Sequence, residues 1–130
     1  MSTDLAYIAG FFDGEGSVVI TTARGYLALN VVLVQTDRDI LEWVRLILDC
    51  KGAIHLRSRN GSLGKKPLYS LQWSGASAGR VLEKLLPYLK VKRGKAEIGL
   101  QFQATMKRTG RNGTPSEVIQ LRQDLQQRTR

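Results

Sequence analysis

From Tyr26 the chain alternates without a break: Leu27, Leu29, Val31 and Leu33 fall on one side of an extended strand, and Tyr26, Ala28, Asn30 and Val32 on the other. The preceding run, Ser17 to Arg24, is rich in β-branched residues, and Arg24-Gly25 makes a tight turn, so the two runs predict a hairpin. A second hairpin is predicted around Asn60-Gly61-Ser62-Leu63-Gly64. In its first arm, Ala53–Arg59, Ile54 and Leu56 alternate with His55, Arg57 and Arg59. In its second, Lys66–Trp73, Tyr69, Leu71 and Trp73 alternate with Ser70 and Gln72.

Helical spacing fills the gaps between these strands. Residues 5–13 form an apolar helix at the start. Ile40, Leu41, Val44, Ile47 and Leu48 make one face of a second helix, capped by Asp37 or Asp39 and stopped at Gly52. Ser77 is the expected cap of a third, carrying Val81, Leu82 and Leu85, and Pro87 opens the loop to Arg93. A fourth is expected over Lys95–Met106. The Gly/basic stretch Lys107–Gly113 reads as a linker, after which Thr114-Pro115-Ser116-Glu117 forms a capping box for a short last helix. The expected fold is therefore α+β, in the order α-β-β-α-β-β-α. One four-stranded antiparallel sheet has helices on one face. A core domain covers residues 1–106, and a basic linker with a short helix covers 107–130.

At 130 residues and 42% apolar composition the chain suits a single core. No stretch approaches the ~18 apolar residues of a membrane span, and no secretory signal is evident, so an intracellular protein without membrane partners is expected. Bacterial, phage and organellar settings all remain open. The single cysteine, Cys50, follows an apolar run and reads as a buried, inert thiol. A net charge of +9 points to a polyanionic partner, with nucleic acid ahead of a membrane surface. The placement of charge adds to this. None of the 11 acids lies between Gly16 and Thr36 or between Cys50 and Leu82, which are the two windows that hold the strands. The sheet face bearing Tyr26, Asn30, His55, Arg57, Arg59, Lys66, Ser70 and Gln72 thus offers cations and hydrogen-bonding groups without a carboxylate, as contact with phosphates and base edges requires.

The first helix ends in "IAGFFDGEG", residues 8–16, where two acids sit between glycines. On a wheel of about 100° per residue, Leu5, Tyr7, Ile8, Phe11 and Phe12 share a broad side. Ala6, Ala9, Gly10 and Asp13 form a small-residue stripe that admits a second helix at close range. The same helix of another copy is the natural partner, giving a two-fold homodimer through this helix. Acids brought together at the negative ends of two helix dipoles are unfavourable unless a divalent cation joins them. Mg²⁺ keeps much of its shell for water and phosphate oxygen, so the arrangement has the look of a metal-dependent phosphodiesterase. A plain helix stop is the bland alternative. An EF-hand loop starting at Asp13 fails, with Val18 at its sixth position and Arg24 at its twelfth. A phosphate-cradling loop fails too, because a strand follows the glycines instead of a helix.

These residues resemble the LAGLIDADG homing endonucleases of the single-motif, homodimeric kind. "IAGFFDGEG" resembles the nine-residue signature, and "VLVQTDRDIL" and "LLPYLKVKRGKAEI" resemble two later segments of the family, together covering about residues 4–106. The resemblance implies a site-specific endonuclease that makes a staggered double-strand cut with 3′ overhangs in a long, near-palindromic DNA, using Mg²⁺, with Mn²⁺ or Ca²⁺ able to substitute for binding. It implies Glu15 as the metal-binding carboxylate, with the Gly14 carbonyl as second ligand and Asp13 as structural. Gln35 would orient the attacking water and Lys92 would stabilise developing negative charge. Arg38 is the one candidate for a further basic residue of the family, and a solvated helix start explains Asp37, Arg38 and Asp39 equally well. Thr21, Tyr26, Asn30, His55, Arg57, Arg59, Ser70 and Gln72 are candidate base readers, and Lys65, Lys66, Lys90 and Arg93 phosphate contacts. The tail Lys107–Arg111 either touches the DNA backbone or is free. The competing readings are an intron RNA maturase and a catalytically silent DNA-binding dimer of the same fold.

Overall fold

Alternation does build one sheet. In the computed structural model, which describes residues 3–23, 25–58, 67–106 and 116–130, β1 (Gly16–Ala23), β2 (Tyr26–Gln35), β3 (Ala53–Ser58) and β4 (Leu68–Ser74) lie antiparallel in the order β1-β2-β4-β3. Five helices complete the described fold: α1 (Thr3–Glu15), α2 (Arg38–Leu48), α3 (Gly75–Leu85), α4 (Arg93–Met106) and α5 (Ser116–Thr129). A single 3₁₀ turn, Leu86–Tyr88, links α3 to the segment before α4. The α-β-β-α-β-β-α order is as expected. No described helix is long and apolar enough to cross a membrane.

One sheet face is the core. Val18, Ile20, Leu29, Val31, Leu33, Leu71 and Trp73 are all buried on it, and Ile8 and Phe12 of α1, Leu82 and Leu85 of α3 and Phe102 of α4 pack with them in one hydrophobic cluster. Period-2 residues meet period-3.6 residues, so the helices cover that face and leave the other uncovered. Two glycines are required by this packing. A Cβ on Gly16 would stand 2.3 Å from the Phe12 ring, and one on Gly52 would stand 2.7 Å from the Trp73 indole. Gly52 therefore serves the tryptophan and does not end α2. That helix ends at Asp49, in the left-handed region at φ 50°, and starts at Asp37, whose Oδ1 accepts the Asp39 N–H at 3.0 Å. Cys50 is buried, as expected, and donates its thiol to the Leu48 carbonyl.

Two boundaries differ from expectation. α1 runs on through Asp13-Gly14-Glu15, so both acids belong to the helix itself. α3 begins directly after β4, because Gly75 adopts φ 58° and lets the strand turn into the helix, which places Ser74, and not Ser77, at the cap position. The last helix is also no appendix to a core ending at 106. Leu125 of α5 is 1% exposed within the main cluster, Gln126 Nε2 donates to the Ile20 carbonyl at 3.0 Å, and Arg122 donates to Thr105 Oγ1 and carbonyl. β1 is an edge strand, and Gln126 occupies one of the acceptors that such an edge leaves open. The expected linker, the Arg24 turn, the loop 60–64 and the first two capping-box residues lie outside the described residues.

Candidate functional site

The two acids at the end of α1, Asp13 and Glu15, have opposite surroundings. Residues 13 and 15 stand about 200° apart around a helix. Asp13 faces the segment before α4: its Oδ2 accepts the Lys90 N–H and its Oδ1 the Lys92 N–H, each at 2.9 Å. Desolvation raises the pKa of this carboxyl, but the backbone N–H groups of Lys92, Lys90 and Val91, with the Lys92 charge, outweigh it and leave the group below its ordinary range. The Lys92 ammonium also donates to the Asp13 carbonyl at 3.2 Å. Asp13 thus fastens the Lys90–Lys92 segment to the end of α1 and brings Lys92 to it. Glu15 is exposed on the other side, as is Gly14, and its carboxylate has no partner among the described residues.

Gln35 reaches the same end of the sheet through register. Gly16, which follows Glu15, pairs with Leu33, two residues before Gln35. The Gln35 Oε1 accepts from the Thr36 N–H at 2.8 Å and the Thr36 hydroxyl at 3.1 Å, leaving Nε2 unpartnered among the described residues. Gln35, at the end of β2, and Lys92, held by Asp13, thus both belong to segments joined to the end of α1 that carries Glu15. Arg38 is otherwise engaged: its Nε lies 3.3 Å from Glu42 Oε1 and its guanidinium stands over the Tyr69 ring. No three His, Cys, Asp or Glu side chains gather anywhere among the described residues. One protomer offers oxygen ligands at Glu15 and Gly14 but no closed cage.

The uncovered sheet face carries the expected polar residues, with qualifications. Tyr26 is 77% exposed, His55 and Arg57 are exposed on β3, and Gln72 is half-buried on β4. Thr21, Asn30 and Ser74 are joined by hydrogen bonds across β1, β2 and β4. Ser70 departs from expectation: it is 1% exposed, set between Val34 of β2 and His55 of β3, and its hydroxyl has no partner. It cannot reach a base edge as a surface reader. Arg59, Lys65, Lys66 and the tail Lys107–Arg111 lie outside the described residues. Sequence reading passed over Ser74, although the alternation of Ser70 and Gln72 continues to it.

The small-residue stripe also needs correction. Ala9 is fully buried in the protomer core, because it lies beside Ile8 on the face that packs on the sheet, and Asp13 is turned to Lys90 and Lys92. The exposed side of α1 instead carries Ala6, Tyr7, Gly10 and Gly14. A Cβ at Gly10 or Gly14 would meet nothing within 4 Å. Each glycine forgoes about 1 kcal/mol of helix propensity relative to alanine, and no described residue of the protomer requires it. The Gly10-x-x-x-Gly14 spacing was the available signal, hidden by ending the helix at residue 13.

A helix-backed antiparallel sheet with an open polar face, and a motif helix ending in an outward carboxylate, defines an architecture with known relatives. A LAGLIDADG-like domain model matches residues 2–86, and the chain belongs to this family. It is 34% identical over 106 residues to the DNA endonuclease I-CvuI of Chlorella vulgaris, spanning 75% of this chain and 62% of that protein. Crystal structures of I-CvuI, one bound to its target with Ca and one to the I-CreI target with Mg and uncleaved DNA, superpose with TM-score 0.69 at 27% identity. They cover 94% of this chain and 79% of theirs. The meganuclease I-AabMI bound to uncleaved DNA gives TM-score 0.77 at 22% identity, covering 94% of this chain and 43% of that one, and shares the fold.

Proposed function

We propose that this chain is a site-specific DNA endonuclease that acts as a homodimer and hydrolyses one phosphodiester on each strand of a long, near-palindromic duplex, leaving 3′ overhangs. The observation that carries the reading is the end of α1, where an unpartnered Glu15 stands beside the exposed, close-approach glycines of the same helix. Two copies meeting along Ala6, Gly10 and Gly14 bring two Glu15 carboxylates and two Gly14 carbonyls to one seam. These are hard oxygen donors, suited to Mg²⁺, with Mn²⁺ or Ca²⁺ able to take its place for binding. A bound divalent cation supplies an acidified water and neutralises charge on the phosphate.

The chain's own groups do the rest. Gln35 keeps its Nε2 free to donate to the attacking water or to a phosphate oxygen, its Oε1 being held by Thr36. Lys92, held at the helix end by Asp13, offsets negative charge that grows on the scissile phosphate. The uncovered face, with Thr21, Tyr26, Asn30, His55, Arg57 and Gln72 along its strands, lies against the major groove. Lys90, exposed, and Arg93, which also pairs with Glu97 at 3.2 Å, are the proposed phosphate contacts. Arg59 and Lys66, outside the described residues, are further candidate DNA contacts from the sequence alone. Two-fold symmetry of the protein matches a two-fold target.

A library of palindromic duplexes offered with Mg²⁺, and again with EDTA, tests this directly. Double-strand cuts should appear only with Mg²⁺ and should vanish in Glu15→Gln while binding remains. Light scattering should return twice 14.5 kDa, falling to one copy in Gly10→Leu. Binding restricted to structured RNA, or DNA binding without any Mg²⁺-dependent cut, refutes the nuclease.

A further inference from the structure

Ser74 occupies the cap position of α3, where a serine ordinarily accepts a backbone N–H from the first turn of the helix. Here its side chain makes no cap hydrogen bond. The hydroxyl turns to the sheet and donates to Asn30 Oδ1 at 2.6 Å. From the opposite side, Asn30 Nδ2 donates to Thr21 Oγ1, whose own proton points to the Ala28 carbonyl at 3.5 Å. Register explains the geometry. Asn30 on the central strand β2 lies directly opposite Ser74 of β4, and Thr21 of β1 sits one diagonal step away, opposite Ala28. The carboxamide is therefore held from both sides, by one bond to each neighbouring strand.

The direction of these bonds matters. Ser74 donates, so it takes one lone pair of Oδ1. Thr21 accepts, so it takes one proton of Nδ2. Each bond runs to a different neighbouring strand. The outer edge of the amide keeps one lone pair on Oδ1 and one N–H on Nδ2, side by side and in a fixed order. That acceptor–donor pair matches the N6 amino group and N7 of adenine in the major groove. An amide free to flip would present the same pair in reverse order, fitting an adenine on the other strand equally well.

We infer that Asn30 is an orientation-locked adenine reader, and that Ser74, with Thr21, is the positioning residue that decides which strand of the base pair carries the adenine. This rests on the DNA-binding reading above. It also gives a location. Asn30 precedes Gln35 by five residues on β2, about 17 Å at 3.4 Å per residue. DNA rises by the same 3.4 Å per base pair. The read pair should stand about five steps outward from the cut phosphate in each half-site.

Two measurements test this. The first uses the duplex recovered from the library and all its single-pair variants, with binding measured for the wild type, Asn30→Ala and Ser74→Ala. Asn30→Ala should lose on the order of tenfold preference at one pair per half-site. Ser74→Ala should lose it at that same pair by accepting A·T and T·A alike, and Asn30→Ala/Ser74→Ala should behave as Asn30→Ala alone. Unchanged strand preference in Ser74→Ala overturns the lock, as does a broad loss spread over many pairs. The second needs no DNA. In the free protein, the Asn30 side-chain amide protons should give NMR cross-peaks to Thr21 and none to residue 74, and in Ser74→Ala these cross-peaks should weaken as cross-peaks to residue 74 appear, because the carboxamide then turns about its Cβ–Cγ bond. Absence of the Thr21 cross-peaks in the wild type overturns the lock even if the protein cuts DNA. Their presence in a protein that binds no DNA instead overturns the endonuclease reading, and the adenine reader with it.

Discussion

Asp13→Asn removes one negative charge and replaces one acceptor oxygen by an NH₂ group at the end of α1. In the wild type two carboxylate oxygens accept two backbone N–H groups at 2.9 Å. Asparagine keeps one acceptor, so either Lys90 or Lys92 is left facing a second donor. A hydrogen bond to a charged group contributes about 1.5–3 kcal/mol, and solvent near this partly exposed site reduces that, so a net loss of about 1–2 kcal/mol is expected. For a chain of this length that corresponds to a fall in Tm of about 3–8 °C. The local effect is more diagnostic. Amide exchange at Lys90 or Lys92 should speed up about tenfold or more, since each 1.4 kcal/mol of opening energy is one decade. Acid should reproduce the variant in the wild type. The folded pKa of Asp13 is depressed, so its contribution is complete above the ordinary carboxyl value of 3.8 and is lost as pH falls through the lower folded value. Exchange rates at both amides that match the wild type in Asp13→Asn, or an Asp13 that titrates above 3.8, would refute the clamp.

Other substitutions probe the frame around the site. Gly16→Ala places a Cβ where the Phe12 ring stands. Urea unfolding should report about 1–3 kcal/mol lost, and Phe12→Leu in the same chain should recover part of it. Leu125→Ala opens a cavity in the shared core and should lower stability by about 2–5 kcal/mol. If α5 were an independent appendage the unfolding midpoint would not move.

Much of this molecule can be read from the sequence, and for definite reasons. The strands are legible because burial on one face imposes a period of two, which Leu27 to Leu33 keep without exception. The helices are legible where charge and cap coincide, as at Asp37. Legibility fails where one residue type serves either of two purposes. Gly52 looks like a helix stop and is space for Trp73. Ala9 looks like part of a contact stripe and is core, because the wheel ranks residues by size and the packing ranks them by which side meets the sheet. Ser70 shares its face with Gln72, yet its flanking neighbours Val34 and His55 cover it. That depends on which strands are adjacent, and β2 beside β4 is not written in any local pattern. α5 is illegible as core for the same reason. Its apolar positions are sparse, and only the locations of α4 and of the β1 edge give Leu125 and Gln126 their partners.

The two acids of the motif show how a short pattern divides labour. Two residues of helix put about 200° between them, so they cannot serve one ion from one protomer. Asp13 spends its charge on the backbone of residues 90–92, and by doing so holds Lys92 to the helix that carries Glu15. Glu15 is left with no partner among the described residues of its own chain. The inward acid thus fixes Lys92 to the helix that carries the outward acid, while in the proposed dimer Gly10 and Gly14 on the exposed side set how near a second outward acid can come. A single helix end sets both distances on which the proposed chemistry depends. This accounts for two acids and two exposed glycines in nine residues whose Ile8, Ala9 and Phe12 are committed to the core.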